Sequence, residues 1–432
     1  MTDGVDSVSD VVGIGFGPAN LALAIALNED VSPTRRLELS FLEKQPRFGW
    51  HGGMLLDGAT MQVAFLKDLV TLRNPCSPFT FVSYLHSVNR LSAFINSKAI
   101  YPLRREFHDY LEWCASEFTD TVRYGADVTG VRPVVSQGKV SFVDVDVRTE
   151  KDCHTYRAAN VVIGAGLHPW MPPDVVASDR VWHSDDLVAK LADLDPAQPL
   201  DVVVVGSGQS AAEVVAHIHG VFQNSSVTSV YSRFGYGVAD DSPFVNEFFD
   251  PDAVSLFYDA PEDVKEMLLG YHRNANYSVV DLDLSTSLYQ RLYEEMVKGR
   301  RRLRMLNVCR VDGLTEASGK VNVDIEHLPT GRKMAIDADV VVFATGYRPV
   351  DPEPLLGELV RECKRDSSGN LVIDRDYRVV TSDSVRCGIY VHGSYTERLH
   401  GLSAGLLSNV AVRAGEIAQA ICKSAISGDR GV

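Results

Sequence analysis

The stretch VGIGFGPAN, residues 12–20, decides the fold that we predict for this chain. A short apolar strand enters the stretch and a helical run leaves it. Gly13 permits a tight turn and Gly15 lets the backbone approach a pyrophosphate, which the free N–H groups of the helix N-terminus attract. A second predicted strand, Leu37–Leu42, ends on Glu43, where a carboxylate can accept a hydrogen bond from a ribose hydroxyl. These features predict a βαβ nucleotide-binding unit.

Pro18 makes this pattern imperfect, because the third small residue of the motif usually falls there, and an ordinary strand–turn–helix remains an alternative. The chain carries a second unit, DVVVVGSGQSAAE at residues 201–213, in which the pattern G-x-G-x-x-A is complete. Its next predicted strand, Val227–Ser232, is followed by Arg233 and has no acid at its end. Arginine in that position accommodates the 2′-phosphate of NADP. Two nucleotide sites of different preference predict a flavin that is reduced by NADPH.

Composition indicates a globular protein of two or three domains, with 432 residues of which 45% are hydrophobic and 23% charged. The formal charge of −15 at pH 7 argues against a nucleic-acid or anionic-membrane partner. No apolar run reaches the ~20 residues of a membrane span, and the acidic N-terminus does not resemble a signal peptide. We therefore expect a cytoplasmic protein. The seven cysteines include no C-x-x-C pair, which argues against a disulfide framework, a zinc site and a dithiol redox centre.

The segment after the second predicted strand carries residues suited to a cofactor or a substrate. Trp50 and His51 follow the ribose position, where an aromatic ring can pack against a flat cofactor; a surface loop with one buried tryptophan is the alternative. The largely apolar run MQVAFLKDL, residues 61–69, contains Gln62 and Lys67. Such a lysine usually extends its amine to solvent along an apolar surface, but it could instead hold a substrate carboxylate.

A helix is predicted over Arg104–Phe118, because an apolar stripe recurs there at helical spacing. The stripe consists of Phe107, Tyr110, Leu111 and Cys114. Arg104 and Arg105 stand in the first turn, which the helix dipole makes unfavourable for cations. The two arginines either face an anion such as a phosphate or lie in solvent.

Residues 234–300, within the second unit, are rich in polar aromatic and amide side chains. The segments DDSPFVNEFFD (240–250) and YHRNANYSVV (271–280) flank a predicted helix, Pro261–Leu269. Asparagines in loops usually close turns. Asn246 and Asn276 could instead line a pocket for a small polar substrate.

Two features are predicted for the last hundred residues. A buried strand at 337–343 ends in the turn at Gly346 and could rejoin the first sheet, which would make the second unit an insertion. The stretch HGLSAGLLSN, residues 400–409, is predicted to open a helix that runs to about Ala425, with Ser403 as its N-cap. The N-terminus of such a helix, aimed at a flavin, would stabilise negative charge on the reduced ring.

Together these motifs make the chain resemble the microbial N-hydroxylating flavoprotein monooxygenases, the L-ornithine N5-monooxygenase/L-lysine N6-monooxygenase family of hydroxamate siderophore pathways. The markers of this resemblance run in order along almost the whole chain: GIGFGPANLALA, FGWHGGMLL, MQVAFLKDLVTLRNP, YPLRREFHDYLEW, GSGQSAAE, NANYSVV, FATGYRP and HGLSAGLLSNVAVR. The resemblance implies FAD, NADPH, O2, a primary-amine substrate and a homotetramer.

The resemblance also implies roles for individual residues. Those that would contact FAD are Gly13, Gly15, Gly17, Pro18, Asn20, Glu43, Lys44, Trp50, His51, Gln62 and Leu406. Those that would contact NADPH are Gly206, Gly208, Gln209, Ser210 and, at the 2′-phosphate, Arg233. Lys67 would bind the substrate α-carboxylate together with Asn246. Asn276 and Ser408 would stand near the side-chain amine.

The implied reaction is N-hydroxylation of the side-chain amine of L-ornithine through a C4a-hydroperoxide of the flavin, with no catalytic side chain and no metal. We favour ornithine because the pairing of FLKDLVTLRNP with NANYSVV most resembles the ornithine branch. One alternative is an L-lysine N6-hydroxylase, and a second is a broader flavin monooxygenase that acts on sulfides or ketones. Lys67 argues against the second, because such substrates lack a carboxylate. A non-enzymatic redox sensor is the remaining interpretation, which the intact GSGQSAA turn disfavours.

The predicted fold class is therefore α/β, with two Rossmann-like dinucleotide-binding domains, for FAD and NADPH, and a small helical substrate-binding region. The predicted limits are 1–197 for the first part of the FAD domain and 331–432 for its second part. The NADPH domain is predicted at 198–330, with the helical insertion at about 234–300.

Overall fold

The computed structural model describes residues 8–30 and 37–427, so residues 1–7, part of the stretch on which the predicted location rests, lie outside the described residues. The strands, in chain order, are β1 (Val8–Ile14), β2 (Leu39–Glu43), β3 (Val122–Tyr124), β4 (Asp127–Ser136), β5 (Lys139–Arg148), β6 (Cys153–Ile163), β7 (Leu167–Pro169), β8 (Val181–His183), β9 (Asp201–Val205), β10 (Ser226–Val230), β11 (Gly237–Val238), β12 (Val279–Val280), β13 (Leu303–Leu306), β14 (Cys309–Ala317), β15 (Lys320–His327), β16 (Arg332–Ala338), β17 (Val340–Phe343), β18 (Tyr347–Pro349) and β19 (Gly388–Val391). The α-helices are α1 (Pro18–Asp30), α2 (Phe81–Ser87), α3 (Leu91–Ser97), α4 (Arg104–Ser116), α5 (Leu187–Ala192), α6 (Gln209–Val221), α7 (Pro243–Asn246), α8 (Pro251–Asp259), α9 (Glu262–Tyr271), α10 (Leu282–Lys298), α11 (Glu353–Leu356), α12 (Glu397–His400) and α13 (Val410–Ser427).

The first sheet is built on the N-terminal βαβ unit, as predicted. Its strands β3, β2, β1 and β6 lie side by side in that order and are all parallel. On the other edge of β6, the parallel strand β19 pairs with the last residues of β6, and the antiparallel strand β5, followed by β4, pairs with its first residues. Helix α1 is apolar on every side, and its residues 21–27 are fully buried between this sheet and α13. Pro18 is the first residue of α1, where a missing N–H costs nothing, so proline is tolerated there. The predicted role of Gly13 in the turn is wrong, because Gly13 lies within β1, opposite Phe41 and Val162, and the turn begins at Gly15.

The second sheet contains the second βαβ unit and is entirely parallel, with the strand order β13-β10-β9-β17-β8. The prediction that the strand before Gly346 rejoins the first sheet is wrong. This strand, β17, pairs with β9 and β8, and β19 makes the return to the first sheet instead. The predicted limits place β8 and β17 in the FAD domain, whereas both strands pair in the second sheet. A continuous apolar run indicates a buried parallel strand but does not indicate which sheet it joins.

The chain passes between the two sheets twice, and the two passages pair with each other. β7 leaves the first sheet, β18 leaves the second, and the two form an antiparallel ribbon in which Tyr347 lies opposite Pro169. The guanidinium of Arg348 lies 4.6 Å from the centre of the Trp170 ring, a cation–π contact at the end of the ribbon. The two sheets are therefore joined by a short paired connection and by the contacts described below.

The C-terminal helix begins later than predicted. α13 starts at Val410, and two short 3-10 turns occupy residues 402–409, so Ser403 is not its N-cap. Gly401 adopts φ +82°, which breaks the chain away from a helical path just before Ser403. Arg413 reaches back from α13 and donates hydrogen bonds to the carbonyl oxygens of Ser403 and Leu406 at 3.1 and 3.4 Å. The 3-10 segment is thus held by a side chain rather than by helical hydrogen bonds.

The insertion between β10 and β13 is largely helical and carries α7, α8, α9 and α10. The predicted helix over Pro261–Leu269 corresponds to α9. Among the described residues, no helix combines the length and the apolar character that a membrane span requires.

Candidate active site

The first glycine turn forms a cradle that excludes side chains at one position and leaves room at another. Gly15 has φ +82°, and a Cβ atom there would lie 2.6 Å from the carbonyl oxygen of Gly164. A Cβ atom at Gly17 would meet no atom of the described chain within 4 Å. Gly15 is therefore required by the fold itself, whereas the free space at Gly17 opens toward the position expected for a pyrophosphate.

Glu43 ends β2 beside this turn, as predicted. Its Oε2 accepts a hydrogen bond from the backbone N–H of Phe16 at 2.7 Å, and its Oε1 accepts one from the N–H of Gln45 at 2.8 Å. Asn20 closes the turn by donating from Nδ2 to the carbonyl oxygens of Ile14 and Gly15. The carboxylate is thereby oriented at the mouth of the cradle. Lys44 is exposed next to it, and its predicted FAD contact remains a prediction.

The aromatic pair after β2 lies where the first sheet meets the second. His51 is half-buried, and its ring packs edge-on against Trp50 and Tyr347, with ring centres 4.6 and 5.8 Å apart. Burial and the nearby Arg104 guanidinium lower the pKa of His51 to about 4, so the ring is neutral near physiological pH. The Tyr347 hydroxyl donates to Asp185 Oδ1 at 2.9 Å, which ties the ribbon strand β18 to the turn after β8.

Gly53 marks the closest backbone approach between these two parts of the chain. A Cβ atom at Gly53 would lie 1.7 Å from the carbonyl oxygen of Asp185, whereas one at Gly52 would meet nothing within 4 Å. We predict that Gly53→Ala lowers the free energy of unfolding by about 1–3 kcal/mol, because a backbone atom must move to make room. Chemical denaturation of the FAD-loaded enzyme measures this, with Gly52→Ala as the matched control. Equal midpoints for the two variants would contradict the predicted contact.

The second glycine turn repeats the geometry of the first. Gly206 has φ +146°, and a Cβ atom there would lie 2.3 Å from the carbonyl oxygen of Ala344 at the end of β17. Gly208 precedes α6, whose first two residues are Gln209 and Ser210. The free N–H groups of this first turn form a site for a phosphate.

The side chains of Gln62 and Gln209 form hydrogen bonds to other residues of the protein. Gln209 Nε2 donates to Glu213 Oε1 at 3.0 Å and to Asp281 Oδ2 at 2.8 Å, and its Oε1 accepts from the backbone N–H of Asp281 at 2.9 Å. Gln62 Nε2 donates to the other oxygen of Asp281 at 3.1 Å. The backbone of Gln209 and the Oε1 atom of Gln62 are the groups left for the predicted cofactor contacts.

Arg104 faces an anion, but that anion is a carboxylate of the chain. Its Nη1 and Nη2 atoms donate to the two oxygens of Glu213 at 2.8 and 2.7 Å. Of the two interpretations offered from the sequence, that Arg104 faces an anion is confirmed, with a carboxylate in the place of a phosphate, and the solvated side chain is wrong for Arg104. The partner lies 109 positions away along the chain, and no local pattern points to it.

Arg233 lies past the end of β10, beside a cavity of about 410 Å³. Its Nη1 donates to the carbonyl oxygen of Ser278 at 3.3 Å, and the side chain is otherwise exposed. The cavity is also lined by Asp240, Gly270, Tyr271, His272, Arg273, Asn274 and Tyr277. Two arginines at one cavity offer several donors to a phosphate.

The structure brings Lys67 to the segment that carries Asn246. Lys67 Nζ lies 4.0 Å from Asp250 Oδ1, four residues after Asn246. The amide of Asn246 donates from Nδ2 to the carbonyl oxygen of Asp241 at 2.7 Å, which fixes its direction at the end of α7. Lys67 and this segment come from distant parts of the chain, so the pairing agrees with a shared site.

The loop that carries Asn276 is held against the C-terminal part of the chain. The hydroxyl of its neighbour Tyr277 donates to Glu397 on α12, and burial raises the pKa of both groups. In the 3-10 segment that follows, the Oγ atom of Ser408 is buried and has no hydrogen-bond partner among the described residues. The same is true of both amide atoms of Asn409, which the sequence did not single out. Such orphaned polar groups are expected where a ligand binds.

Comparison with known proteins identifies the family. Residues 7–349 match the family model described as L-lysine 6-monooxygenase/L-ornithine 5-monooxygenase. The chain belongs to this family. The resemblance found in the sequence is thus confirmed, as is the two-domain α/β fold class.

One relative compared by sequence and two solved structures show how similar this member of the monooxygenase family is to known proteins. The L-ornithine N(5)-monooxygenase of Pseudomonas aeruginosa is 37% identical over 95% of this chain and 93% of its own length. The ornithine N-hydroxylase of Kutzneria sp. 744, solved with reduced FAD, NADP+ and L-ornithine, has a TM-score of 0.93 and 46% identity over 96% of this chain and 99% of its own. The L-lysine 6-monooxygenase of Pseudomonas syringae has a TM-score of 0.83 and 31% identity over 96% and 99%.

Proposed function

We propose that this member of the family is an FAD- and NADPH-dependent monooxygenase that hydroxylates the side-chain amine of L-ornithine to N5-hydroxyornithine. The observation that carries the proposal is the meeting of Lys67 with the amide-bearing segment of the insertion, in a fold that also forms two glycine-turn nucleotide cradles. An α-amino acid with a terminal amine requires a cation to bind its carboxylate and amide groups to bind its amine, and this region of the chain provides both.

FAD fits the first cradle. Glu43 presents its carboxylate at the position for a ribose hydroxyl, and the space at Gly17 accommodates a pyrophosphate over the N-terminus of α1. Asn409 supplies orphaned buried polar atoms that bound FAD would satisfy, next to Ser408, whose orphaned Oγ atom is assigned to the substrate amine below. They follow β19, which ends at the same edge of the sheet as β1 because the strands are parallel. Gly13, Gly15, Pro18, Asn20, Lys44, Trp50, His51, Gln62 and Leu406 complete the proposed FAD contacts.

NADPH fits the second cradle. Gly206 and Gly208 shape the turn, and the backbone of Gln209 and Ser210 offers N–H groups to the pyrophosphate. Arg233 stands past the next strand, where a 2′-phosphate is read in this fold. No acid stands beside it at the end of β10, which favours NADPH over NADH.

The proposed substrate contacts follow from charge. Lys67 neutralises the α-carboxylate, Asn246 donates to it, and Asn276 and Ser408 lie near the side-chain amine. That amine must be neutral to react, whereas a free alkylammonium has a pKa of ~10.4. Neutral amide and hydroxyl partners suit this requirement, and desolvation lowers the amine pKa further. The bound flavin supplies the reactive oxygen, and the protein positions the amine and excludes water.

Product analysis with competing amines tests the proposed substrate. Ornithine and lysine differ by one methylene, whose burial contributes only ~0.8 kcal/mol. The distance between Lys67 and the flavin must therefore determine which of the two amines is hydroxylated. We expect hydroxylated product with L-ornithine and mainly H2O2 with L-lysine, at equal NADPH consumption. Hydroxylated lysine as the main product would make the chain an L-lysine N6-hydroxylase. Oxidation of a sulfide or ketone without any amine product would indicate a broader flavin monooxygenase.

We further propose that the enzyme is a homotetramer. On α10, Tyr289, Tyr293, Met296 and Val297 are exposed on one face at helical spacing, a pattern that favours contact with another protein surface. Light scattering on the purified enzyme measures this. The mass of four chains is the expected result, and a monomer would contradict it.

We also propose that the enzyme acts in the cytoplasm, in the biosynthesis of a hydroxamate. The seven cysteines are free, four of them buried, which suits a reducing compartment such as the cytoplasm. An N-hydroxylated ornithine is a precursor for a hydroxamate, so we place the reaction in siderophore or related natural-product biosynthesis. Fractionation of the source cells tests the location, and recovery outside the cytoplasmic fraction would contradict it.

A further inference from the structure

A hydrogen-bonded group of five side chains connects the two nucleotide-binding parts of the chain. The members of this inter-sheet cluster are Gln62, Arg104, Gln209, Glu213 and Asp281. Gln62 and Arg104 belong to the part that packs on the first sheet, whereas the other three belong to α6 and to the N-terminus of α10 in the second. Gln62 and Gln209 are among the proposed cofactor contacts, whereas Glu213 and Asp281 have no role in the proposed binding of cofactor or substrate.

The Arg104–Glu213 pair is largely buried, and both guanidinium Nη atoms make further hydrogen bonds. Besides the two oxygens of Glu213, Arg104 donates from Nη1 to the carbonyl oxygen of Met54 at 2.8 Å and from Nη2 to that of Thr60 at 3.2 Å. Side-chain exposure is only 11% for Arg104 and 7% for Glu213. Bidentate pairs of this kind fix orientation as well as distance. Loss of one partner leaves an uncompensated buried charge, which makes the pair a rigid connection.

Asp281 makes the second connection. One of its oxygens accepts from Gln62 and the other from Gln209, so a single carboxylate receives one donor from each side. Burial raises the pKa of Asp281, and the two amide donors act in the opposite direction by stabilising the charged form. Gln209 also donates to Glu213, which joins the two connections into one network.

The position of the cluster relates it to the cofactors. Gln209 is the first residue of α6 and Glu213 lies one turn later, on the helix whose N-terminus receives the NADPH pyrophosphate. On the other side, Arg104 holds the segment 50–62 through the carbonyl oxygens of Met54 and Thr60, and Gln62 ends this segment, which carries Trp50 and His51 on the FAD side. The cluster therefore joins the helix that fixes NADPH to the segment that faces the flavin.

We propose that Glu213 and Asp281 are positioning residues that set the distance between the nicotinamide and the flavin. This inference rests on the proposed function, in which NADPH reduces the flavin directly. Hydride transfer requires reacting atoms about 3–3.5 Å apart, and a displacement of about 1 Å can reduce the rate by about 100-fold. A rigid connection between the two cradles maintains this distance, and its loss permits the cradles to separate.

The limiting rate of flavin reduction by NADPH, measured anaerobically by stopped-flow on the FAD-loaded enzyme, tests the inference. We expect Glu213→Gln to lower this rate by at least about tenfold and Asp281→Asn by a smaller factor. Reduction by dithionite, which requires no bound nucleotide, and the flavin absorbance spectrum should stay unchanged. The apparent dissociation constant for NADPH should change less than the limiting rate, because both carboxylates are bonded to other side chains of the cluster and neither is a proposed nucleotide contact.

Glu295→Gln is the matched control. Glu295 is a half-buried acceptor in the same part of the chain, where it accepts from His219 Nε2 and from the backbone N–H groups of Arg302 and Leu303 at 2.7–2.8 Å. All its partners lie on the side of the second sheet, so its loss weakens that side without opening the connection. We expect this variant to keep the wild-type limiting rate.

Each outcome has a distinct meaning. Wild-type rates in Glu213→Gln or Asp281→Asn, or an equal loss in Glu295→Gln, would overturn the inference. If Glu213→Gln fails to fold or to hold FAD, Asp281→Asn decides, because it keeps an acceptor at the same place and loses only one of the two amide contacts. A wild-type enzyme that NADPH does not reduce would contradict the proposed function itself.

Discussion

Replacing Lys67 by alanine is expected to raise the KM for L-ornithine by about 30- to 140-fold. The lysine supplies the cation near the segment that carries Asn246, with Nζ 4.0 Å from Asp250 Oδ1. A hydrogen bond to a charged group contributes about 2–3 kcal/mol, which corresponds to this change in KM. Steady-state kinetics of product formation measures it.

The same variant should leave the NADPH cradle unaffected. We therefore expect the rate of flavin reduction by NADPH without ornithine to stay near the wild-type value. Lys190→Ala is the matched control, because Lys190 pairs with Asp179 at the surface, at 3.6 Å, away from the site. An unchanged KM in Lys67→Ala would remove Lys67 from the substrate site.

Replacing Arg233 by alanine is expected to raise the KM for NADPH by about 10- to 140-fold while changing the KM for NADH little. The expected loss is that of a charge-assisted contact with the 2′-phosphate, about 1.5–3 kcal/mol. Arg233 lies past β10 at the mouth of the 410 Å³ cavity, with a single hydrogen bond to the carbonyl oxygen of Ser278 within the described residues. It is therefore free to turn toward a ligand.

Comparison of the two nucleotides separates recognition of the phosphate from general damage. Arg310→Ala is the control, because Arg310 pairs with Glu326 on the exposed sheet of β14 and β15 at 2.7 Å. Equal effects of Arg233→Ala on NADPH and NADH would show that no 2′-phosphate is read at Arg233. The neighbouring Arg273, which lines the same cavity, would then be the next residue to replace.

The parts of the fold that depend on local chemistry were predictable from the sequence. Gly15 and Gly206 adopt positive φ and lie against the backbone of a neighbouring strand, so glycine is required at both positions. Glu43 ends its strand beside the first turn, and the apolar stripe of α4 is buried as the helical spacing predicts. The positive φ at the two turns, the strand end and the helical stripe are set by nearby residues, where periodicity and turn chemistry carry the information. The backbones that the two glycines meet, at Gly164 and Ala344, are distant along the chain.

The parts that depend on distant partners were not predictable. β17 is an apolar run that would suit either sheet, and its position next to β9 is settled by packing rather than by its own sequence. Ser403 has the side chain of an N-cap, but the backbone at Gly401 and the hydrogen bond from Arg413 place it in a 3-10 turn. Local preference is overridden where tertiary contacts are stronger.

The same limit applies to the site. Arg104 and Glu213 each stand in a motif noted from the sequence, yet only the structure pairs them. Gln209 belongs to the glycine-turn motif, and its side chain proves to be bonded within the protein rather than free for a nucleotide. Motifs indicate which residue types gather at a site, but not whether a side chain faces the ligand or another side chain.

A crystal structure of the enzyme with FAD, NADP+ and L-ornithine tests the central proposal most directly. We expect the ornithine carboxylate at about 2.7–3.2 Å from Lys67 Nζ, and the side-chain amine directed toward Asn276, Ser408 and the flavin. Ornithine bound in the opposite direction, with its side-chain amine at Lys67, or bound away from both cradles, would contradict the proposed site.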